Sequence, residues 1–389
     1  MYRGQIVFAQ LMELLPRAAF DACVRRYPGQ RKLRGFSCRD QFLCMAFAQL
    51  SFRQSLRDVE TCLRAMQPKL YHAGFRGPIS RSTLADANRH RDWRIYHDFA
   101  QVLISQAQEL YAQGAFAVAL QHTVYALDST LIELCLALFP WAHSQRQKGA
   151  IKLHTLVDLR GNIPCFVRVS TAKTPDCTVL DHLPVEPGSY YVMDRGYNDY
   201  RRLHRLSTSG AWFIVRGKQN LTFHRLDRRP VDRASGLRSD QTIRLKDRRT
   251  TRKYPDRLRR IHYFDALLNK RFLFITNDFS LPALTIAELY RCRWQVELFF
   301  KWIKQNLRIQ HFLGNSPNAV KTQVWIAIST YLLVAILKKQ LGAEHSMSQI
   351  LQILSVTLFE KTSLNAAIFH ENQPNSETAA SNQLHLFDL

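Results

Sequence analysis

Residues 290–307, YRCRWQVELFFKWIKQNL, set polar side chains capable of chemistry into a run apolar enough for a core. Wound as a helix at about 100° per residue, Tyr290, Arg293, Glu297 and Lys304 share one stripe about 60° wide. Val296, Leu298, Phe299, Trp302, Ile303 and Leu307 take most of the remaining circumference. A surface helix has the reverse balance, a narrow apolar stripe and a broad polar face. The spacing therefore predicts a helix buried on most sides, with one charged line facing a cleft or a partner. It is equally compatible with Arg293 and Lys304 merely solvating Glu297, because Arg293 and Glu297 stand in the i,i+4 relation.

Two further acids each close an apolar strand: Asp128 in YALDST and Asp194 in YVMDRGY. A carboxylate so placed is costly to bury unless it meets a metal or a strong donor, although either one alone could cap the next turn. With Glu297 they make an all-oxygen donor set suited to Mg²⁺, a hard cation that takes few protein ligands. Two such ions about 4 Å apart can activate an attacking oxygen and stabilise a leaving one in phosphodiester chemistry.

These residues need a frame, and the periodicity supplies one. Residues 1–115 read as helical. FSCRDQFLCMAFAQL offers Ser37 as an N-cap with Asp40 three residues on, and SFRQSLRDVETCLRAM restarts at Ser55. ISRSTLADANRHR opens a short helix at Ser82 and carries Arg81, Arg89 and Arg91 as exposed cations. Short helices with a basic start suit a helix-turn-helix reader of DNA, and equally a plain bundle with a solvated face.

From residue 116 the pattern changes. VYALDSTLIEL, SYYVMDRGY and AWFIVRGK read as strands, and IKLHTLVDLRGNIPCFVRVS as a hairpin turning at Arg160-Gly161-Asn162. DCTVLDHLP and DYRRLHRLSTSG read as helices between them. The alternation predicts a mixed sheet with helices packed on it, an α/β domain over 116–315. Residues 219–270 interrupt it with an Arg-crowded stretch in which QTIRLK and RRIHYFDALL could be strands of a small inserted sheet. Its sign bias points to phosphate contacts, carried by Arg248, Arg249, Arg252 and Lys253; the competing account is a solvated loop. Helices follow over 316–370, then a polar, flexible tail over 371–389.

Composition narrows the partners. The 389 residues carry a net charge of +23 and a pI near 10.0, which favours a polyanion. A hydrophobic content of 46% indicates a folded chain. The apolar run VWIAISTYLLVAIL falls short of the roughly 20 residues that span a bilayer, and the first residues lack a signal-peptide pattern. Eight cysteines stand singly, without a C-x-x-C pair. The expectation is a cytoplasmic, nucleoid-associated protein with double-stranded DNA, and no membrane, as partner. The sequence holds no G-x-x-x-x-G-K-[ST] loop for a nucleotide-driven motor and no zinc spacing. His143 and Arg146 match the H-x-x-R of tyrosine recombinases, but the late tyrosine of those enzymes is missing.

The order Asp128, Asp194, Glu297, together with Tyr290-x2-Arg293-x3-Glu297-x6-Lys304, resembles the DDE transposases of insertion-sequence family four. Their Y-x2-R-x3-E-x6-K signature is present without departure, DRGY after Asp194 is similar too, and the likeness covers roughly residues 1–340. The resemblance implies a ribonuclease-H-like catalytic domain interrupted by a mainly β insertion, a helical N-terminal DNA-binding domain and C-terminal helices. It implies that Asp128, Asp194 and Glu297 are the catalytic residues and the ligands of two Mg²⁺ ions, with Mn²⁺ as a substitute. Tyr290, Arg293 and Lys304 would contact the phosphates and bases of the element end. The implied reaction is metal-dependent cleavage at inverted-repeat ends, through a hairpin, and joining of the 3′-hydroxyls to target DNA by a homodimer in a synaptic complex. The alternative is a domesticated, non-cleaving DNA-binding protein of the same fold.

Overall fold

The computed structural model describes residues 4–28, 35–112, 114, 120, 122–134, 138–142, 149–306 and 312–369. The tail over 371–389 and the pair His143 and Arg146 lie outside them. Seven helices come first: α1 (Val7–Glu13), α2 (Arg17–Arg25), α3 (Cys38–Leu50), α4 (Leu56–Ala65), α5 (Gln67–Leu70), α6 (Arg81–His90) and α7 (Arg94–Tyr111). Ser37 and Ser55 cap α3 and α4 as expected, each closing a capping box with the aspartate three residues on. The opening of α6 differs. Its N-cap is Ser80, whose hydroxyl accepts from the Thr83 amide at 3.2 Å, and Ser82 lies inside the helix. Arg81 and Arg89 are exposed as expected, but Arg91 is buried. The chain turns extended at Arg91 and swings its guanidinium under the Ser37 turn. There it donates to the carbonyls of Phe36 and Ser37, the latter at 2.6 Å.

The strands form one mixed sheet of order β3-β2-β1-β4-β5-β9-β8-β7-β6. β1 (Val124–Leu134), β2 (Gly149–Asp158) and β3 (Ile163–Thr171) make an antiparallel meander. Its second turn puts Asn162 in the left-handed region at φ 56°. The short helix read in DCTVLDHLP is a 3-10 helix over Asp176–His182. β4 (Tyr190–Met193) and, after α8 (Tyr200–Thr208), β5 (Trp212–Arg216) then add in parallel to β1.

The Arg-rich stretch supplies β6 (Phe223–Arg229), β7 (Leu237–Leu245), α9 (Arg248–Lys253) and β8 (Leu258–Asp265), and β9 (Lys270–Thr276) follows. The inserted strands do not form a separate small sheet. β9 pairs with β8 on one side and β5 on the other, so they extend the same sheet. The open edge of the short β5 explains this, because its unpaired amides and carbonyls need a partner.

Last come α10 (Ala283–Cys292), α11 (Trp294–Asn306), α12 (Pro317–Leu341), α13 (Met347–Thr357) and α14 (Leu364–Phe369). One sheet face packs beneath α8 and Tyr254, which follows α9. The other belongs to an apolar core that runs without a break through the N-terminal helices and α10–α14. The N-terminal helices and the last helices meet directly: the Val7 amide donates to the Glu360 carbonyl at 3.0 Å, and the Tyr111 hydroxyl to the Ala335 carbonyl at 2.9 Å. At 25 residues α12 outruns the apolar stretch seen in the sequence and could span a bilayer by length and composition. Yet 94% of its most apolar window is buried in protein.

One buried ion pair ties the inserted strands to the start of α10. Arg259, 2% exposed, donates to both carboxylate oxygens of Asp240, at 3.0 and 2.7 Å, and to the Leu281 carbonyl at 2.6 Å. Removing one partner strands the other charge in a dry site. Asp240→Ala or Arg259→Ala is expected to cost about 3–5 kcal/mol, read as a lower denaturant midpoint. Replacing both by apolar residues of similar volume should recover most of it, and a double variant as unstable as the singles would refute the account.

Candidate active site

β4 runs beside β1 in parallel register, with Leu127 opposite Met193. The next residue on each chain is an aspartate, so Asp128 and Asp194 stand side by side where β4 stops. Asp194 closes its strand as the sequence suggests. Asp128 does not, because β1 continues to Leu134 against β2 alone. What ends at Asp128 is the parallel neighbour, and that opens the space beside it.

The segment from Tyr290 onward is also not one helix. α10 stops at Cys292, α11 starts at Trp294, and Arg293 forms the joint. The amides of Arg293 and Val296 each reach back three residues, at 3.1 Å, which tightens the turn. The joint keeps three of the four stripe residues together. Tyr290 donates to Asp194 Oδ1 at 3.0 Å, and Arg293 donates to Asp128 Oδ2 and to Glu297 Oε1, the latter at 2.7 Å. Arg293 pairs with Glu297 along the helix and at once reaches across to Asp128. Lys304 lies eleven residues on, about 16 Å along the axis, half-buried beside Glu133 of β1. Burial lowers its pKa although Glu133 acts the other way. The rest of α11 is buried less completely than expected, since Trp294 and Leu298 are exposed.

Residues that the sequence did not single out join the site. Arg216 at the end of β5 lies 3.8 Å from Asp194 Oδ1 and stacks over Phe272. Asp176 accepts from Ser129 Oγ at 2.7 Å and Lys152 Nζ at 2.9 Å, and lies against Gly196, where a Cβ would come 3.3 Å from its carboxylate. Arg216 carried a usable signal, an arginine closing the strand after Asp194. Asp176 carried none, because only the 3-10 turn over β1 brings it in. The four cations of α9, Arg248, Arg249, Arg252 and Lys253, are exposed but stand elsewhere. They follow Leu245, and the pairings of Leu237 with Tyr263 and Ile243 with Leu258 put that end of β7 farthest from the carboxylates.

Burial pushes the Asp128 carboxyl up to about 6; Arg293 opposes the rise, and Glu297 and Asp194 add to it. Tyr290 is pushed up to about 12 by burial and then by Asp194. Burial also works against the Arg293 charge, but Asp128, Tyr290 and Glu297 outweigh it and hold the guanidinium above its ordinary value. The three carboxylates thus call for positive charge, and Arg293 supplies it. Their oxygen-only chemistry fits a hard divalent cation. Among the described residues, no three acidic, histidine or cysteine groups converge closely enough to chelate one as they stand.

Residues 119–333 match the family described as Transposase DDE domain, a stretch that holds all three carboxylates. The chain belongs to the DDE transposases. Residues 3–76 match a second family, described only as a domain of unknown function. This transposase is 32% identical over 257 residues to a protein named transposase y4zB from Sinorhizobium fredii, covering 65% of this chain and 70% of that one. It is 29% identical over 226 residues to one named as transposase for insertion sequence element IS5377 of Geobacillus stearothermophilus, covering 57% and 58%. A third, named as transposase for insertion sequence element IS4SA of Synechocystis, is 24% identical over 317 residues, covering 78% and 85%. A solved piggyBac transposase synaptic complex with hairpin DNA superposes at a TM-score of 0.44 and 10% identity, over 97% of this chain and 83% of that one, a likeness too slight to carry an argument.

The raised Asp128 carboxyl has a consequence for stability. Its pKa of about 6 lies above the ordinary 3.8, so the folded chain holds this proton more tightly than the unfolded one. Below the ordinary value the group costs nothing; as pH rises through 6 the folded state must hold a buried charge, and stability falls. With metal withheld, Asp128→Asn is expected to melt above the wild type at pH 8, by up to about 3 kcal/mol at about 1.4 kcal/mol per pKa unit. The gap should close towards pH 4. Thermal melts across that range test this, and a wild type that is the more stable protein at pH 8 would contradict it.

Proposed function

We propose that this transposase binds the inverted-repeat ends of an insertion sequence of family-four type, cuts them with the help of a divalent metal, and joins the freed ends to target DNA. The observation that carries the reading is the meeting of Asp128, Asp194 and Glu297 around Arg293 and Tyr290, beside the ends of parallel strands. In this reading residues 116–315 are a ribonuclease-H-like catalytic domain with the stretch 219–270 inserted. The helices over 1–115 grip DNA, and two copies act together on a pair of ends in the cytoplasm.

Water first breaks a phosphodiester at the element end, leaving a 3′-hydroxyl and a 5′-phosphate. The 3′-hydroxyl then attacks the opposite strand, which forms a hairpin and releases the flank. Water reopens the hairpin, and the regenerated 3′-hydroxyl attacks a target phosphodiester. Asp128, Asp194 and Glu297 would hold Mg²⁺, two ions in this reading, with Mn²⁺ able to substitute. When bound, the metal makes the attacking oxygen a better nucleophile and stabilises the leaving one. Arg293 holds Asp128 and Glu297 in fixed rotamers, and in this reading its guanidinium also meets the phosphates of the element end. Tyr290 orients Asp194 through its hydroxyl while its ring packs on Phe272 and Phe274.

Asp128→Ala, Asp194→Ala and Glu297→Ala are each expected to abolish metal-dependent nicking of an inverted-repeat duplex while leaving its binding within a few fold. The reason is that metal ligands act on the transition state and phosphate contacts carry most affinity. Arg293→Ala should stay folded yet nick about a hundredfold more slowly, the cost of mis-seating a reacting group by about 1 Å. Tyr290→Phe, which keeps the ring, should be milder. Single-turnover nicking beside a mobility shift separates these effects. A carboxylate variant that nicks like the wild type is struck from the site, and a wild-type chain that shifts DNA but never nicks it with Mg²⁺ or Mn²⁺ is the non-cleaving binder.

The α9 cations should contribute affinity without sequence preference. Replacing Arg248, Arg249, Arg252 and Lys253 by Ala is expected to flatten the salt dependence of binding to long duplexes by up to about 0.9 log–log units for each phosphate no longer neutralised. An unchanged slope would return α9 to a solvated surface.

A further inference from the structure

Beside the carboxylates opens a cleft of about 880 Å³ that the reading above does not use. Arg195, Arg216, Lys218, Arg238, Arg260 and Arg271 line it, and no carboxylate does. Among the described residues, the only ion pair that these six make is the 3.8 Å contact of Arg216 with Asp194. A concave wall of one sign focuses its field and favours a polyanion. Several of these side chains are already ordered for a ligand. Arg260 lies over the Phe223 ring at 4.6 Å and donates to Gln241 Oε1 at 3.1 Å, and its buried Nε has no partner. Arg238 lies over Phe264 and Arg216 over Phe272, each at 5.3 Å. Cations fixed on aromatic rings lose less freedom when they bind.

The position of the cleft says which stretch of DNA it would hold. Register puts Arg260 with Ile275, His262 with Leu273 and Phe264 with Arg271, so these residues project from the sheet face that α8 covers. Tyr290 comes from the opposite face, through α10, across Phe272 and Phe274. Asp194, just past the end of β4, and Asp128 beside it on β1 lie between the two. A backbone crossing them touches the Tyr290–Arg293 side on one hand and runs into the cleft on the other.

Given the function proposed above, on which this rests, we infer that the cleft binds the DNA backbone beyond the cut, outside the element. The same chemistry has two sources, the flanking donor duplex before cleavage and the target duplex before joining.

The test uses the full chain with Glu297→Gln, so that nothing is cut, with and without Arg238→Gln plus Arg271→Gln, two exposed positions whose change should leave the melt unaltered. Salt dependence of binding is measured on three probes: an inverted-repeat duplex flush at the cleavage point, the same duplex with one helical turn of flank, and a random duplex offered to the complex already loaded with flush ends. With both cations neutralised the slope should fall by up to about 1.8 on the flanked probe or on the random one, and stay unchanged on the flush probe. A fall on the flanked probe identifies the donor flank, and a fall confined to the random duplex identifies the target. Unchanged slopes on all three probes, or an equal fall on the flush probe, would overturn the assignment. If the wild-type chain cuts no DNA at all, the proposed function fails first; if it cuts and the cleft variants bind like their parent, only the cleft assignment fails.

Discussion

Negative charge gathered where β4 ends beside Asp128 of β1 is the constraint around which the rest is built. Asp128 is buried, Asp194 is its strand neighbour, and Glu297 arrives from a helix, so each raises the cost of ionising Asp128. Arg293 offsets that cost because a guanidinium can donate along two edges at once, to Asp128 and to Glu297. A lysine would present a single point charge to one of them. The fork works only if the joint between α10 and α11 is held rigidly against the sheet.

That requirement explains why the inserted strands belong to the site and are not an appendage. β9 closes the edge of β5 and presents Phe272 and Phe274, on which the Tyr290 ring rests. Arg259 then fixes the turn from β9 into α10 by pairing with Asp240 and holding the Leu281 carbonyl. Behind α10 and α11 the buried α12 braces the layer, and the N-terminal helices enclose α12 in turn. A residue on β8, within the insertion, thus helps to hold the helix that carries Tyr290, through contacts that are each only a few ångströms long.

Local features were legible in the sequence, and features made by pairing were not. The capping boxes at Ser37 and Ser55 depend on three residues each and could be read directly. Asp128 and Asp194 stood out by type and by their apolar surroundings, but only the register shows that they adjoin. Arg91 looked exposed because its partners, the carbonyls of Phe36 and Ser37, lie far back in the chain. The choice between solvation and function for Arg293 could not be made by spacing, since an i,i+4 contact and a contact across the sheet do not exclude each other. Basic density in the sequence does not mark nearness to the carboxylates either. Arg248–Lys253 is dense in sequence and remote from the carboxylates, whereas the cleft draws single cations from successive strands and turns.

The arginines therefore divide into two populations, and the division bears on how this transposase handles DNA. Arg160, Arg202 and Arg259 are matched by carboxylates within 3 Å, so they hold the fold together and have little charge left to offer. The cations of the cleft are largely unmatched, and much of the +23 excess repels itself until a polyanion arrives. The carboxylates themselves repel a phosphodiester. Until a cation sits on them, the unmatched arginines of the adjoining cleft are what can draw a backbone towards the site.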